Sequence, residues 1–414
     1  MPQASMKSDT DIKLPLSFIL YALVALVLSQ IVLFISNDAL LASQFRVPDI
    51  WMGAHFLLLG WAVMIVMGAM YQLVPVAFLT PIWNQAFGYV QFIVTALGIT
   101  VFSILLGTKP DMAIYGGIVA ITGILMFIFQ MAKTILHQEK KNTLTYFVLG
   151  AITCFFLTII AGFLLAWNLA FGGIGEHKTI LYTHILLGIA GWFTLLIFGF
   201  SYKLVPMFSL SHGFSMKNAK PAFFAYVLGL VVLISSLWLS FPYSQFIGWL
   251  LLLVGFSLFV RDIKEILDKR IKKKLDKPFS FSLLAIVNGL VIHGIAFLLS
   301  SVGITNINIW SWLLFLYVMS WIMFSIFGYL FKIVPFLWWT HKYSSQVGKM
   351  KVPMLKEMIN EKVSVYIFIL FIIGVVGLPV SALLQLGILV FMFQGVLVLA
   401  SIAYVSSIVC VLFV

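Results

Sequence analysis

One stretch constrains the fold of this chain more than any other, because it occurs three times. His55-Phe-Leu-Leu-Leu-Gly-Trp-Ala-Val-Met-Ile-Val-Met-Gly-Ala-Met-Tyr-Gln-Leu-Val-Pro75 returns from His184 through Gly191-Trp192 and Gly199-Phe-Ser-Tyr-Lys-Leu-Val-Pro206. It returns again from Trp321 through Gly328-Tyr-Leu-Phe-Lys-Ile-Val-Pro335, without a histidine ahead of it. In each copy the Trp precedes the Gly by seven residues and the Gly precedes the Pro by seven. Chance likeness between apolar helices does not hold two spacings over three copies, so the pattern reads as internal triplication.

With 63% hydrophobic and 9% charged residues, the chain falls outside the soluble globular class, in which about a quarter of residues are charged. Runs long enough to cross a hydrocarbon core of about 30 Å fall near residues 13–35, 51–78, 87–107, 112–132, 144–167, 179–208, 221–240, 244–260, 279–301, 308–338, 363–386 and 388–412. The expected fold is an all-α polytopic membrane protein. Its twelve transmembrane helices form three pseudo-threefold four-helix repeats, residues 1–141, 142–277 and 278–414, in one integral membrane domain. The first run follows Lys7, Asp9, Asp11 and Lys13 without a small-residue cleavage pattern after it, so it is expected to be retained as a span. Cys154 and Cys410, far apart and both inside spans, read as packing residues.

The net charge of +12 belongs to particular loops. Lys133, Lys140 and Lys141 follow span four, Lys217 and Lys220 follow span six, residues 261–277 follow span eight, and Lys342, Lys349, Lys351, Lys356 and Lys362 follow span ten. All fall on one side of a twelve-span bundle. The positive-inside rule therefore predicts a cell-membrane protein with these loops and both termini in the cytoplasm, facing lipid rather than nucleic acid. The linkers at 261–277 and 349–362 alternate apolar and charged residues, which predicts short surface helices at the membrane interface.

Gly60, Gly68, Gly191, Gly199 and Gly328 read as small residues that let helices approach, and Leu-Val-Pro as the end or kink of each long helix. Gln72, Lys203 and Lys332 occupy one repeat position three residues before the proline. They either snorkel to headgroups or cluster where the three helices meet.

Of seven histidines, His137, His177, His212 and His341 lie at loops or span ends, while His55, His184 and His293 lie inside spans two, six and nine. An intramembrane ionisable residue is a site hypothesis. At a rise of about 1.5 Å per residue the three share a layer roughly 6–10 Å below the outer surface. His55 precedes its Trp by six residues and His184 by eight, which turns the two rings about 200° apart in the repeat frame. That offset lets both face one pore between spans two and six and meet a planar ligand from opposite sides. Two opposed neutral imidazoles in an apolar slot suit haem iron with bis-His coordination, low-spin and b-type, with His55 and His184 as metal ligands. The cofactor-binding set is then His55, His184 and His293 with Trp61 and Trp192. His293 either supports the ligands from a polar network shared with Asn288 or is an alternative ligand. The competing reading gives each histidine one helix-to-helix hydrogen bond and no ligand.

Twelve spans as three arcs, with His55 followed by Gly68-Ala-Met-Tyr-Gln-Leu-Val-Pro75, resemble catalytic subunit I of the haem-copper oxidase superfamily, which includes the nitric oxide reductases. The second span is also similar to the NnrS-type haem proteins of nitric oxide metabolism. The resemblance implies a second-span haem ligand at His55. It also implies span-ten histidines for both haems, a copper ligand in span six and a pair at span seven. Residues 309–338 contain no histidine and residues 221–240 no such pair, so the binuclear centre is absent and copper is not expected. Whether the chain is an enzyme is left open. All thirteen Asp and Glu residues fall in loops or at span edges, which argues against proton relay through buried carboxylates. The reading is a haem-binding membrane protein in electron transfer, haem or nitric oxide handling or oxidase assembly, with another membrane subunit or redox partner. Two alternatives stand beside it: a transporter with Gln72, Lys203 and Lys332 near its inner gate, and a haemless scaffold.

Overall fold

A computed structural model describes residues 11–138, 142–239 and 244–414. Lys7, Asp9, Lys140, Lys141 and the first repeat boundary, at 141, lie outside the described residues. The described chain is all-α, with twelve helices long and apolar enough to span a bilayer. Spans one to six are Lys13–Ile35, Pro48–Phe78, Gln85–Thr108, Pro110–Leu136, Thr143–Phe171 and His177–Ser209. Spans seven to twelve are Ala219–Leu239, Ser244–Asp268, Lys277–Ser301, Ile307–Gln346, Glu361–Leu383 and Gly387–Phe413. In hydrocarbon every backbone N–H and C=O needs a partner within the segment, which leaves helices as the solution for such runs. Asparagines set several starts. Asn84, Asn142, Asn306 and Asn360 each accept a bond from a backbone N–H in the first turn of spans three, five, ten and eleven.

Packing closes the helices into a ring. Span three lies against four, seven against eight and eleven against twelve; four then meets five, eight meets nine, and twelve returns to one. Spans two, six and ten are the most enclosed, with 61, 61 and 83% of their apolar windows buried against 33–50% elsewhere. Each rests on the span before it through a glycine that has no room for a side chain. A Cβ on Gly68 would meet Phe18 Cβ at 2.8 Å, one on Gly199 would meet Phe147 Cβ at 2.8 Å, and one on Gly328 would meet the Ser282 nitrogen at 2.7 Å.

The same three helices each contain a π segment, at Phe56–Val63, Leu186–Phe193 and Tyr317–Met323. Within the ring the tryptophans of spans two and ten point in one rotational sense. Trp61 donates to Met323 Sδ of span ten at 3.1 Å, and Trp321 donates to Thr194 Oγ1 of span six at 3.1 Å. Each acceptor stands two residues after its own span's tryptophan. At that register span two has Val63, which offers no acceptor, and Trp192 Nε1 is buried without a partner.

Each proline lies inside its helix rather than ending it at once. Spans two and six stop a turn later, at Leu79 and Leu210, both left-handed with φ of 52° and 54°. Span ten runs on to Gln346. The linker expectation is corrected. Residues 261–268 continue span eight instead of forming a surface helix, because Ile263 and Ile266 are buried against the bundle. The second linker holds only a short 3-10 turn at Leu355–Glu357 before span eleven. Asp262, inside that continuation, is 1% exposed and accepts bonds from Tyr202 and Asn218, so one carboxylate is buried after all. Cys154 packs beside Gly191, whereas Cys410 is exposed, facing outward from the bundle; both are free thiols.

The described ends meet at the proline end of the bundle. Asp11 bonds to Gln85 and Tyr89 at the start of span three, and Lys342 donates to Val414. Gln72, Lys203 and Lys332 do not form a cluster among the described residues. Lys203 is exposed, while Lys332 turns to an ion pair with Asp276.

Candidate functional site

His55 and His184 each stand seven residues past the first residue of their span, and His293 eight before the last residue of span nine. The other four histidines are exposed. In the first helical turns of span two, the His55 ring folds back so that Nδ1 lies 2.8 Å from the Trp51 carbonyl, and its edge meets Phe102 of span three at 5.2 Å. His184 reaches sideways instead, with Nδ1 2.9 Å from the Thr158 carbonyl of span five. Its ring sits over Gly162, where an added Cβ would lie 3.0 Å from Cε1.

A carbonyl oxygen can only accept, so each Nδ1 carries the proton and each Nε2 keeps its lone pair. No protein group bonds either Nε2 among the described residues. Both residues are half-buried. Spans two and six are held by their own neighbours, two by one and three, six by five and seven.

Arg46 links the histidine ends of the two spans. From the connection between spans one and two it reaches across to span six, with Nη2 2.7 Å from the Tyr182 hydroxyl and the guanidinium 5.4 Å from the ring centre. Tyr182 stands two residues before His184. The sequence reading passed over this contact, although Arg46 is the only arginine besides Arg261 and Arg270, and arginine is the side chain suited to a planar anion.

His293 belongs to another place. It is fully buried, its Nδ1 lies 2.7 Å from the Gly289 carbonyl, and its Nε2 lies 3.1 Å from the Tyr226 hydroxyl. Tyr226 continues to Tyr317 at 3.1 Å, and Tyr317 to Thr194 at 2.8 Å, where the Trp321 indole also donates. The histidine end gives the chain a direction. Gly289 C=O only accepts, so Nδ1 carries the proton, Tyr226 donates to His293 Nε2 and Tyr317 to Tyr226, while the Thr194 hydroxyl proton is shared between Tyr317 and the Ile189 carbonyl 3.1 Å away. The expected network with Asn288 is not formed, since Asn288 bonds the Ser320 carbonyl instead. His293 therefore sits with both nitrogens engaged, among spans six, seven, nine and ten.

Trp61 faces span ten, against Phe327 and Tyr404. Trp192 stacks on Phe155 of span five at 4.2 Å. Among the described residues no three His, Cys, Asp or Glu side chains converge as a metal cluster. An apolar groove of about 560 Å³ between spans five, six and seven passes Thr183 and Leu187, but no histidine lines it. No protein-family model matches this chain, and no curated protein is detectably similar to it in sequence.

Proposed function

We propose that this multi-pass membrane protein binds one haem in the slot between spans two and six, with His55 and His184 as axial ligands. One observation carries the reading. Each of these imidazoles is half-buried with its Nδ1–H anchored on a backbone carbonyl and its Nε2 lone pair unbonded, and the Arg46–Tyr182 contact ties the two histidine ends together. A metal-ligating histidine is held in this way, because the outer hydrogen bond sets the tautomer and the ring orientation. Both histidines project from predominantly apolar helices, as a porphyrin site requires, and Arg46 beside them suits its carboxylate tails. When bound between two imidazoles, low-spin haem supplies one-electron transfer. The protein's own residues orient the rings, keep water from the slot and hold the acidic edge at the bundle surface.

The function proposed is electron transfer, haem or nitric oxide handling, or assembly of an oxidase, on a scaffold related to haem-copper oxidase subunit I. The fold is taken as three four-span units, residues 1–141, 142–277 and 278–414. Ring closure, the three π segments and the rotational sense of the indoles support that division. By the positive-inside rule the basic linkers support a cytoplasmic proline end.

The test is an optical spectrum of the purified protein, oxidised and reduced, with an iron and copper count. The expected result is a Soret band with low-spin features and about one iron per chain, no copper, and loss of the low-spin signature in His55→Ala and in His184→Ala. A wild-type protein without a Soret band, or a double variant with an unchanged spectrum, overturns the reading.

A further inference from the structure

A second cavity, of about 250 Å³, opens at the proline end of the bundle. Span six finishes there at Ser209, span nine begins at Lys277 and span eleven at Glu361, so that span ten alone passes it. Three helix ends at one level put the cavity in the headgroup layer rather than in the hydrocarbon. Met207, Phe208, Phe331, Phe336, Leu355 and Ile359 make its apolar walls, and Met207 and Phe336 remain exposed.

One cation at the cavity has no partner. Asp276 is fully engaged, with Oδ1 2.6 Å from Lys272 Nζ and Oδ2 paired with Lys332. Glu361 lies within charge range of both lysines. Lys356, also on the wall, is exposed and has no ion pair or hydrogen bond among the described residues. Lys356 is therefore a free positive charge beside an apolar cleft.

We propose that this cavity binds a phospholipid of one net negative charge, with its phosphodiester at Lys356 and Lys332 and an acyl chain along Phe331 and Phe336. An anionic headgroup supplies the partner that Lys356 lacks, the cleft rewards a tail, and basic pockets between spans recognise such headgroups. The proposal is independent of the haem reading.

Native mass spectrometry of the full chain in mild detergent tests it, with phosphatidylglycerol and phosphatidylcholine of identical acyl chains as probes. The expected result is phosphatidylglycerol bound at least about fivefold tighter, the gain of one basic contact at a membrane surface. Lys356→Gln, at an exposed position that leaves the fold undisturbed, should abolish that preference. Lys220→Gln should keep it, since Lys220 lies at the same end but over the Tyr146 ring. Millimolar glycerol 3-phosphate, which has the phosphate without the tails, should leave the lipid bound. Equal affinity for the two lipids, equal loss in both variants, or displacement by glycerol 3-phosphate each overturns the proposal.

Discussion

Trp192 has an indole N–H that finds no acceptor, although the equivalent indoles of spans two and ten each find one. A buried unsatisfied donor costs about 1–3 kcal/mol. Val63→Thr places a hydroxyl at the register where Met323 and Thr194 serve the other two. The variant should unfold later by about 1 kcal/mol in thermal or denaturant melts, and the gain should vanish in a Trp192→Phe background. Tyr226→Phe acts in the opposite sense. It strips His293 Nε2 of its donor and should cost about 1–3 kcal/mol while leaving any Soret band in place, because His293 is not in the slot. A spectrum altered as strongly as by His55→Ala would return His293 to the ligand set. Among these residues the intramembrane histidines were legible from sequence, since an imidazole among leucines stands out. Their partners were not, because Tyr226 and His293 are 67 positions apart and helical periodicity carries no information over that distance.

Spans two and six end on Leu79 and Leu210 in the left-handed region, with side chains 69 and 52% exposed. A non-glycine residue there is strained by about 1–2 kcal/mol, and little burial is lost on removing either side chain. Leu79→Gly and Leu210→Gly should therefore each stabilise the protein by about 1 kcal/mol, read as a raised melting temperature in detergent. Gly328→Ala should do the reverse, because its Cβ would meet the backbone nitrogen of Ser282. Overpacking of this kind costs about 1–3 kcal/mol. The glycine spacing announced close approach in the sequence, and the proline marked the turn in which spans two and six stop. Sequence misjudged span eight, because the charges from Arg261 to Asp268 look like an interface while Ile263 and Ile266 remain buried.

For the whole molecule, the ring of twelve spans puts the basic linkers, Asp11 and Val414 at one end and His55 and His184 towards the other. If that end is cytoplasmic, Lys273→Cys in a Cys154→Ala, Cys410→Ser background should resist a membrane-impermeant thiol reagent in intact cells, and Lys178→Cys should react. The reverse pattern would invert the topology and place the slot on the inner side.

The number and position of the spans were determined by sequence alone, because hydrocarbon admits no unbonded backbone and a run of some twenty apolar residues has one solution. So were the three long helices with their shared Trp, Gly and Pro spacing. What each side chain meets was decided only when the ring closed. Trp61 and Met323 are 262 positions apart, and Asp276 turned out to hold Lys332. His55 and His184 each keep an unbonded Nε2 while His293 is locked in a chain of tyrosines. Local periodicity orients a residue on its own helix, but the neighbour across the interface is set by packing among all twelve.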